Sequence, residues 1–223
     1  MPPYHPGTFT PSHAMRERTI ASHFVRAALR GADRQGYDYA ALLREAGIQP
    51  ALLDEPRARL DPEQFTRLLQ GLWALLDDEY MGFGAIPSKR GTFAMMCHAI
   101  IHCHSLEKAL VRGMLFYGLF PDAPRVQLQR EGEWVRLTLD SSALWDPDHF
   151  LTESLLVIWH RLGSWLIGQR IRLEEASFVH PEPPHSAEYD LLFPCPRRFD
   201  ADCTSLLFHS RYLAMPLLQD ERT

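Results

Sequence analysis

Apolar residues along this chain recur at two periods, and the change from one to the other divides it. Between Thr19 and Arg34, Ile20, Phe24, Ala27, Ala28 and Leu29 keep close to the 3.6-residue spacing of a helix that ends near Gly31 or Gly36. A second, short helix is predicted from Tyr39 to Ala46, stopped by Gly47. Asp61 followed by Pro62 places an N-cap before a proline at the first helical position. The helix behind it carries a broad stripe of Phe65, Leu68, Leu69, Leu72, Trp73, Leu75 and Leu76 and is predicted to run to about Asp78 as core. Gly91 to Cys103 reads as a buried helix, and Ser105 with Glu107 opens the next one.

From Arg125 to Asp140 the spacing falls to two. Val126 and Leu128 alternate on one side of the turn Glu131-Gly132-Glu133, and Val135, Leu137 and Leu139 alternate on the other, after Trp134. That is a β-hairpin. A long apolar helix follows from Pro147 to Gln169, then a strand from Ile171 to Val179. A helical turn over Ser186 to Leu192 and short strands near Arg198 to Ala201 and Ser205 to His209 complete the pattern. The order predicts an α+β fold: a helical N-terminal half packed with a small mixed sheet, formed by the hairpin and the C-terminal short strands. Residues 1–15, rich in Pro, His, Ser and Thr without a period, are expected to be a flexible arm, with one domain over 16–219.

Charge narrows the function. A net charge of -5 and a pI near 6.1 do not suit a surface built to hold phosphates. Cysteines at 97, 103, 195 and 203 lack the density of a secreted disulfide framework, so reduced thiols are expected. The first fifteen residues have neither region of a secretion signal, and no apolar run reaches the ~18 residues of a membrane span. A cytoplasmic protein without membrane contact is the expectation.

The stretch MCHAIIHCHS, residues 96–105, holds the densest chemistry. His98 and His102 sit four apart and could ligate an ion from one helical face, with Cys97 or Cys103 as thiolate donor. Alternatively the cysteines pack as small apolar residues and the histidines bond to backbone or to a ligand. The first case would be a metal- or thiol-dependent enzyme using the Cys97 to His104 cluster. Cys195-Pro196 could ligate haem but is ordinarily a structural turn. No nucleophile elbow, phosphate loop or dinucleotide fingerprint is present, so no catalytic residue, metal or cofactor is assigned.

GTFAMMCHAIIHCHSLEKALVRGMLFYGLF, the hairpin with Trp134, and FVHPEPPHSAEYDLLFPCPRRFDADCTSLLFHSRYLAMPLLQ together resemble the arabinose-binding-like sensing domain of AraC/XylS-type bacterial transcription regulators. The resemblance covers roughly residues 18–219, and its C-terminal phrase is the more distinctive part. It implies a domain that binds a small-molecule effector, often as a homodimer, and controls a C-terminal helix-turn-helix module. Residues 220–223 would begin the linker to that module, which this sequence does not contain, so DNA would be contacted only through it.

The resemblance does not name the effector. Sugar sites usually combine stacked aromatics with several polar partners, whereas the helices here offer Phe93, Met95, Met96, His98, His102, Met114, Phe116 and Tyr117. Such a wall suits an amphipathic or hydrophobic molecule, a fatty acid or aromatic acid among them. The expected ligand set is Phe93, Met96, His98, His102, Phe116 and Tyr117, with Trp134, Trp159 and His160 closing the cavity from the hairpin and the long helix. Leu206, Phe208, Leu213 and Leu217 are the expected dimer face; the competing expectation is that they fold back and finish the core. A dimerisation module without effector is the remaining alternative.

Overall fold

The structure is a computed structural model in which residues 19–220 are described. The expected arm, and residues 221–223 of the expected linker, lie outside the described residues.

Among the described residues, seven α-helices and two sheets make an α+β fold. Helix α1 (Ser22–Arg34) turns Val25, Ala28, Leu29 and Ala32 inward. Its Gly31 is obligatory, because a Cβ there would collide with the carbonyl of Met81. Helix α2 (Ala40–Glu45) stops before Gly47 at φ 72°. Helix α3 (Pro62–Leu76) opens on a full capping box: Asp61 accepts from the Glu63 N–H at 2.7 Å, and the Gln64 side chain accepts from the Asp61 N–H at 3.1 Å. Strand β1 (Ile20–Ala21), ahead of α1, pairs with β2 (Arg59–Leu60), just ahead of α3, in a two-residue ladder. These elements enclose a first core of Val25, Leu29, Leu43, Leu68, Leu72 and Phe83.

Helices α4 (Thr92–Ile100) and α5 (Leu106–Tyr117) follow, the second capped by Ser105 as its sequence suggests. Strands β3 (Arg125–Glu131) and β4 (Trp134–Asp140) form the expected hairpin with Gly132 at φ 66° in the turn. Helix α6 (Phe150–Leu166), β5 (Leu173–Ser177), the short helix α7 (Tyr189–Leu192), β6 (Arg197–Arg198) and β7 (Thr204–His209) complete the chain. The larger sheet has the order β3-β4-β7-β5-β6, antiparallel except for the β5-β6 pair, and is therefore mixed. Register aligns its apolar residues in rows: Leu137 faces Leu206, which faces Ala176, and Val135 faces Phe208, which faces Leu173. These rows pack on α5 and α6 and form a second core with Ile100, Leu110, Leu156 and Leu166.

Leu206, Phe208 and Leu213 are 1, 3 and 1% exposed, inside that core, and Leu217 is half-buried against it. Leu206, Phe208 and Leu213 pack in the core and leave almost no surface for a partner, whereas Leu217 keeps part of its own. The tail they lead into is tied to two helices. The Leu106 N–H donates to the Met215 carbonyl (2.9 Å), the Leu218 N–H to Leu166 (2.8 Å) and the Gln219 side chain to Trp165 (2.9 Å).

The phrase HPEPPHSAEY, residues 180–189, holds the halves together with polar side chains. His180 lies 3.5 Å from Glu153 of α6 and is stacked by His149 at 4.2 Å. His185 stacks on His23 of α1 at 3.9 Å. Glu188 accepts from Arg59 at 2.7 and 3.0 Å, and the Tyr189 hydroxyl donates to the buried Glu153. Each pair spans elements that the chain order separates widely, which gives a polar phrase in a loop a fold-wide role.

Burial sets the proton affinity of this seam. It drives His23 down to about 3, with the neighbouring His185 adding to the effect, and lowers His149 and His185 as well. Burial raises Glu153, offset in part by the bonds from His180 and Tyr189. For His180 burial pulls downward, but the Glu153 carboxylate, the Pro181 carbonyl and Asp146 together outweigh it and leave the pKa raised. The three depressed imidazoles bind protons more weakly folded than unfolded. Their contribution to stability is present above the ordinary value of 6.5 and is lost as pH falls toward the folded values. Glu153 and His180 act oppositely, losing theirs as pH rises through their raised values. The urea midpoint is therefore expected to fall below about pH 6.5. In His23→Phe, which keeps a ring against His185, that fall should be shallower by about one proton; equal slopes would remove His23 from the account.

Candidate functional site

Between the two cores lies a cavity of about 870 Å³, within the roughly 300–1,000 Å³ usual for small-molecule sites. Helix α6 supplies one wall through Leu151, Leu155, Ile158 and Leu162, spaced at four, three and four residues so that they form one stripe. Leu69 and Trp73, one turn apart on α3, stand across from it. Phe93 and Met96 of α4, Met114 and Tyr117 of α5, and Val126 of β3 close the sides. Exposed Leu119, Phe120 and Asp122, in the loop between α5 and β3, rim the mouth. Trp159 is held in the wall by Gly113: a Cβ at 113 would stand 3.0 Å from its ring.

The remaining wall, Glu79, Tyr80 and Met81, belongs to a loop built on one carboxylate. Asp78, 3% exposed, accepts the backbone N–H groups of Tyr80 (2.8 Å), Gly82 (2.8 Å) and Ser88 (2.7 Å). Bonds to a charged acceptor are the stronger kind, and three on one side chain fix the loop. Glu79 in turn accepts from the Gly91 and Phe93 N–H groups at 2.8 and 2.9 Å, at the start of α4. Burial and the Asp78 and Glu79 carboxylates raise Tyr80; burial, then Tyr80 and Glu79, raise Tyr117. Both phenols are thus neutral hydroxyls.

Phe93, Met96, Tyr117 and Trp159 of the sequence-derived set come together on this cavity. The other five do not line it. Phe116 is half-buried and packs edge-on against Tyr117. His98 and His102 are exposed: His98 is rotated about 200° around α4 from the buried Met96, and His102 lies in the turn after the helix ends at Ile100. Trp134 sits against His209, 5.4 Å between ring centres. His160 is buried elsewhere, with Nε2 2.8 Å from the Ile171 carbonyl.

Among the described residues, no three His, Cys, Asp or Glu side chains converge to hold a metal ion. Cys97 and Cys103 pack in or against the second core. Burial, with Glu79 nearby, raises the Cys97 thiol, and burial pushes Cys195 up to about 11, so both are poor nucleophiles. Among the described residues, no helix is long and apolar enough to cross a membrane.

Sequence reasoning missed Leu69, Trp73, Tyr80, Ser154, Leu155 and Ile158. The breadth of the α3 stripe was a usable signal. Leu68 and Leu72 fill the first core on one edge, so Leu69 and Trp73 on the next edge required a second neighbour.

A family model described as the arabinose-binding domain of AraC transcription regulator, N-term, matches residues 36–217. The chain belongs to this family. It is a ligand-sensing regulatory domain of the AraC type. It is 23% identical over 186 residues to the ornithine utilization regulator of Pseudomonas aeruginosa, across 82% of this chain and 54% of that protein. The chain thus spans about half the length of that regulator.

The loop on Asp78 generates a clear expectation. Asp78→Ala leaves three amides without their acceptor and should lower stability in urea by about 3 kcal/mol or more. Asp77→Asn, at the neighbouring exposed position with φ 49°, should leave the midpoint near that of the unaltered protein. Similar losses from both would mean that Asp78 does not organise the loop.

Proposed function

We propose that this domain, over residues 16–219, binds one small amphipathic or hydrophobic effector in the cavity between its cores. In this reading it controls a C-terminal helix-turn-helix module belonging to a longer cytoplasmic regulator. The observation that carries the reading is the cavity itself, apolar on most sides and bounded by both cores, in a member of a ligand-sensing family. The domain acts by binding, with no catalytic step, metal or cofactor. The proposed ligand set is Phe93, Met96, Tyr117 and Trp159, joined by Leu69, Trp73 and Leu155.

An occupied cavity should raise the melting temperature with effector concentration, by roughly 2.7 kcal/mol of stability at a hundred times the dissociation constant. In a screen of apolar alcohols, ketones, acids, sugars and amino acids, apolar compounds should shift the transition, and Leu155→Trp should remove the shift. Ile158→Trp at the exposed edge serves if Leu155→Trp no longer melts cooperatively. Shifts from sugars or amino acids alone would refute the apolar assignment.

The reading also includes a homodimer, since paired sensors place two reader modules on paired half-sites at high effective concentration. Its face lies away from the buried Leu206, Phe208 and Leu213. Sedimentation at micromolar concentration should give a dimer, and a monomer with and without effector defeats this part.

A further inference from the structure

The cavity wall contains three hydroxyls that the fold does not use. Tyr80, Tyr117 and Ser154 come from the Asp78 loop, α5 and α6, and all three line the cavity. None of their hydroxyls has a hydrogen-bond partner among the described residues, although Tyr80 is 8% exposed and the other two are half-buried. The three hydroxyls are free to bond a ligand in a mainly apolar wall, and they mark where a ligand's polar atom belongs.

Charge decides what that atom can be. Among the described residues the wall holds one guanidinium, Arg125, which is exposed at the mouth and paired across the hairpin with Asp140. The charge nearest the hydroxyls is negative. Glu79 lines the cavity, and its carboxylate oxygens are committed to the amides that open α4. After burial, Asp78 and Glu79 raise Tyr80, and Tyr80 and Glu79 raise Tyr117, and the same carboxylates repel a ligand anion. Each Glu79 oxygen already accepts one backbone N–H, which lowers what a ligand cation gains there.

Resting on the sensor reading above, we propose that the effector is an uncharged, mainly apolar molecule. Its hydroxyl or carbonyl oxygen binds the hydroxyls of Tyr80, Tyr117 and Ser154, and the carboxylate form of the same skeleton is rejected. This narrows the amphipathic class expected from sequence and removes fatty and aromatic acids from it. Burying an unpaired carboxylate in this wall is costly, whereas a neutral oxygen satisfies groups that otherwise lack partners.

The test compares octanol, methyl hexyl ketone, octanoate and octylamine, and the phenylpropyl counterparts of each, by calorimetry and thermal shift on the whole chain. The alcohol and ketone should bind, and the acid and amine should bind at least about tenfold more weakly. In the Tyr80→Phe, Tyr117→Phe double variant, which keeps both rings, alcohol affinity should fall about three- to tenfold. Ser154→Ala supplies the same comparison if the double variant is unstable.

Equal or tighter binding of octanoate or octylamine overturns this inference, as does unchanged alcohol affinity in the variants, and the sensor reading survives both. Failure of every member of both series also overturns it. A polar compound from outside these series whose binding is lost in Leu155→Trp would then keep the cavity as the sensing site while discarding its proposed chemistry.

Discussion

One helix has to be apolar on almost every side, and the rest of the domain is arranged to satisfy it. Phe150 and Leu151 of α6 enter the first core; Leu156, Trp159 and Leu166 enter the second. A rod buried at both ends forces the N-terminal helices and the sheet to pack on different parts of it. The space they leave along its Leu151 to Leu162 stripe is the cavity. The polar interruption Glu153 is tolerated because Tyr189 and His180 meet it from the C-terminal phrase. Core, cavity and seam are therefore three consequences of placing one helix.

The seam explains why a polar loop phrase is the distinctive part of the chain. A core position accepts several apolar residues of similar volume, whereas Glu188 against Arg59, or Tyr189 against Glu153, requires particular atoms at particular reach. Composition alone marks such a phrase as a surface loop. Its partners are at positions 23, 59 and 153, far away in sequence, so the pairing emerges only with the fold.

Elements with a sustained period were legible from sequence. The alternation of β3 and β4 with Gly132 between them, and the Asp61-Pro62 start of α3, carry their own local physics. Strands β1, β2 and β6 have two residues each, too few to show any period. Helix α6 begins at Phe150, three residues later than its apolar pattern suggests, because His149 at φ 56° breaks the helical path. The cavity was the least legible feature. A side chain facing a void and one facing a core have the same hydropathy, and Leu69 differs from Leu68 only by its angle around α3. His98 and His102 misled for the complementary reason: a metal-like spacing says nothing about which way the face points.

The C-terminal tail takes its backbone partners from the far ends of the two helices that wall the cavity. Leu218 and Gln219 are latched to the last turn of α6, and Met215 to the first residue of α5. An α-helix is stiff along its axis, so a rotation or slide imposed at Leu155 or Trp159 reappears two to three turns away at Trp165 and Leu166 with little loss. The tail must then either follow that displacement or release its latches. The tail is thus placed as a follower would be on a pushrod, at the surface end of the helices that wall the cavity.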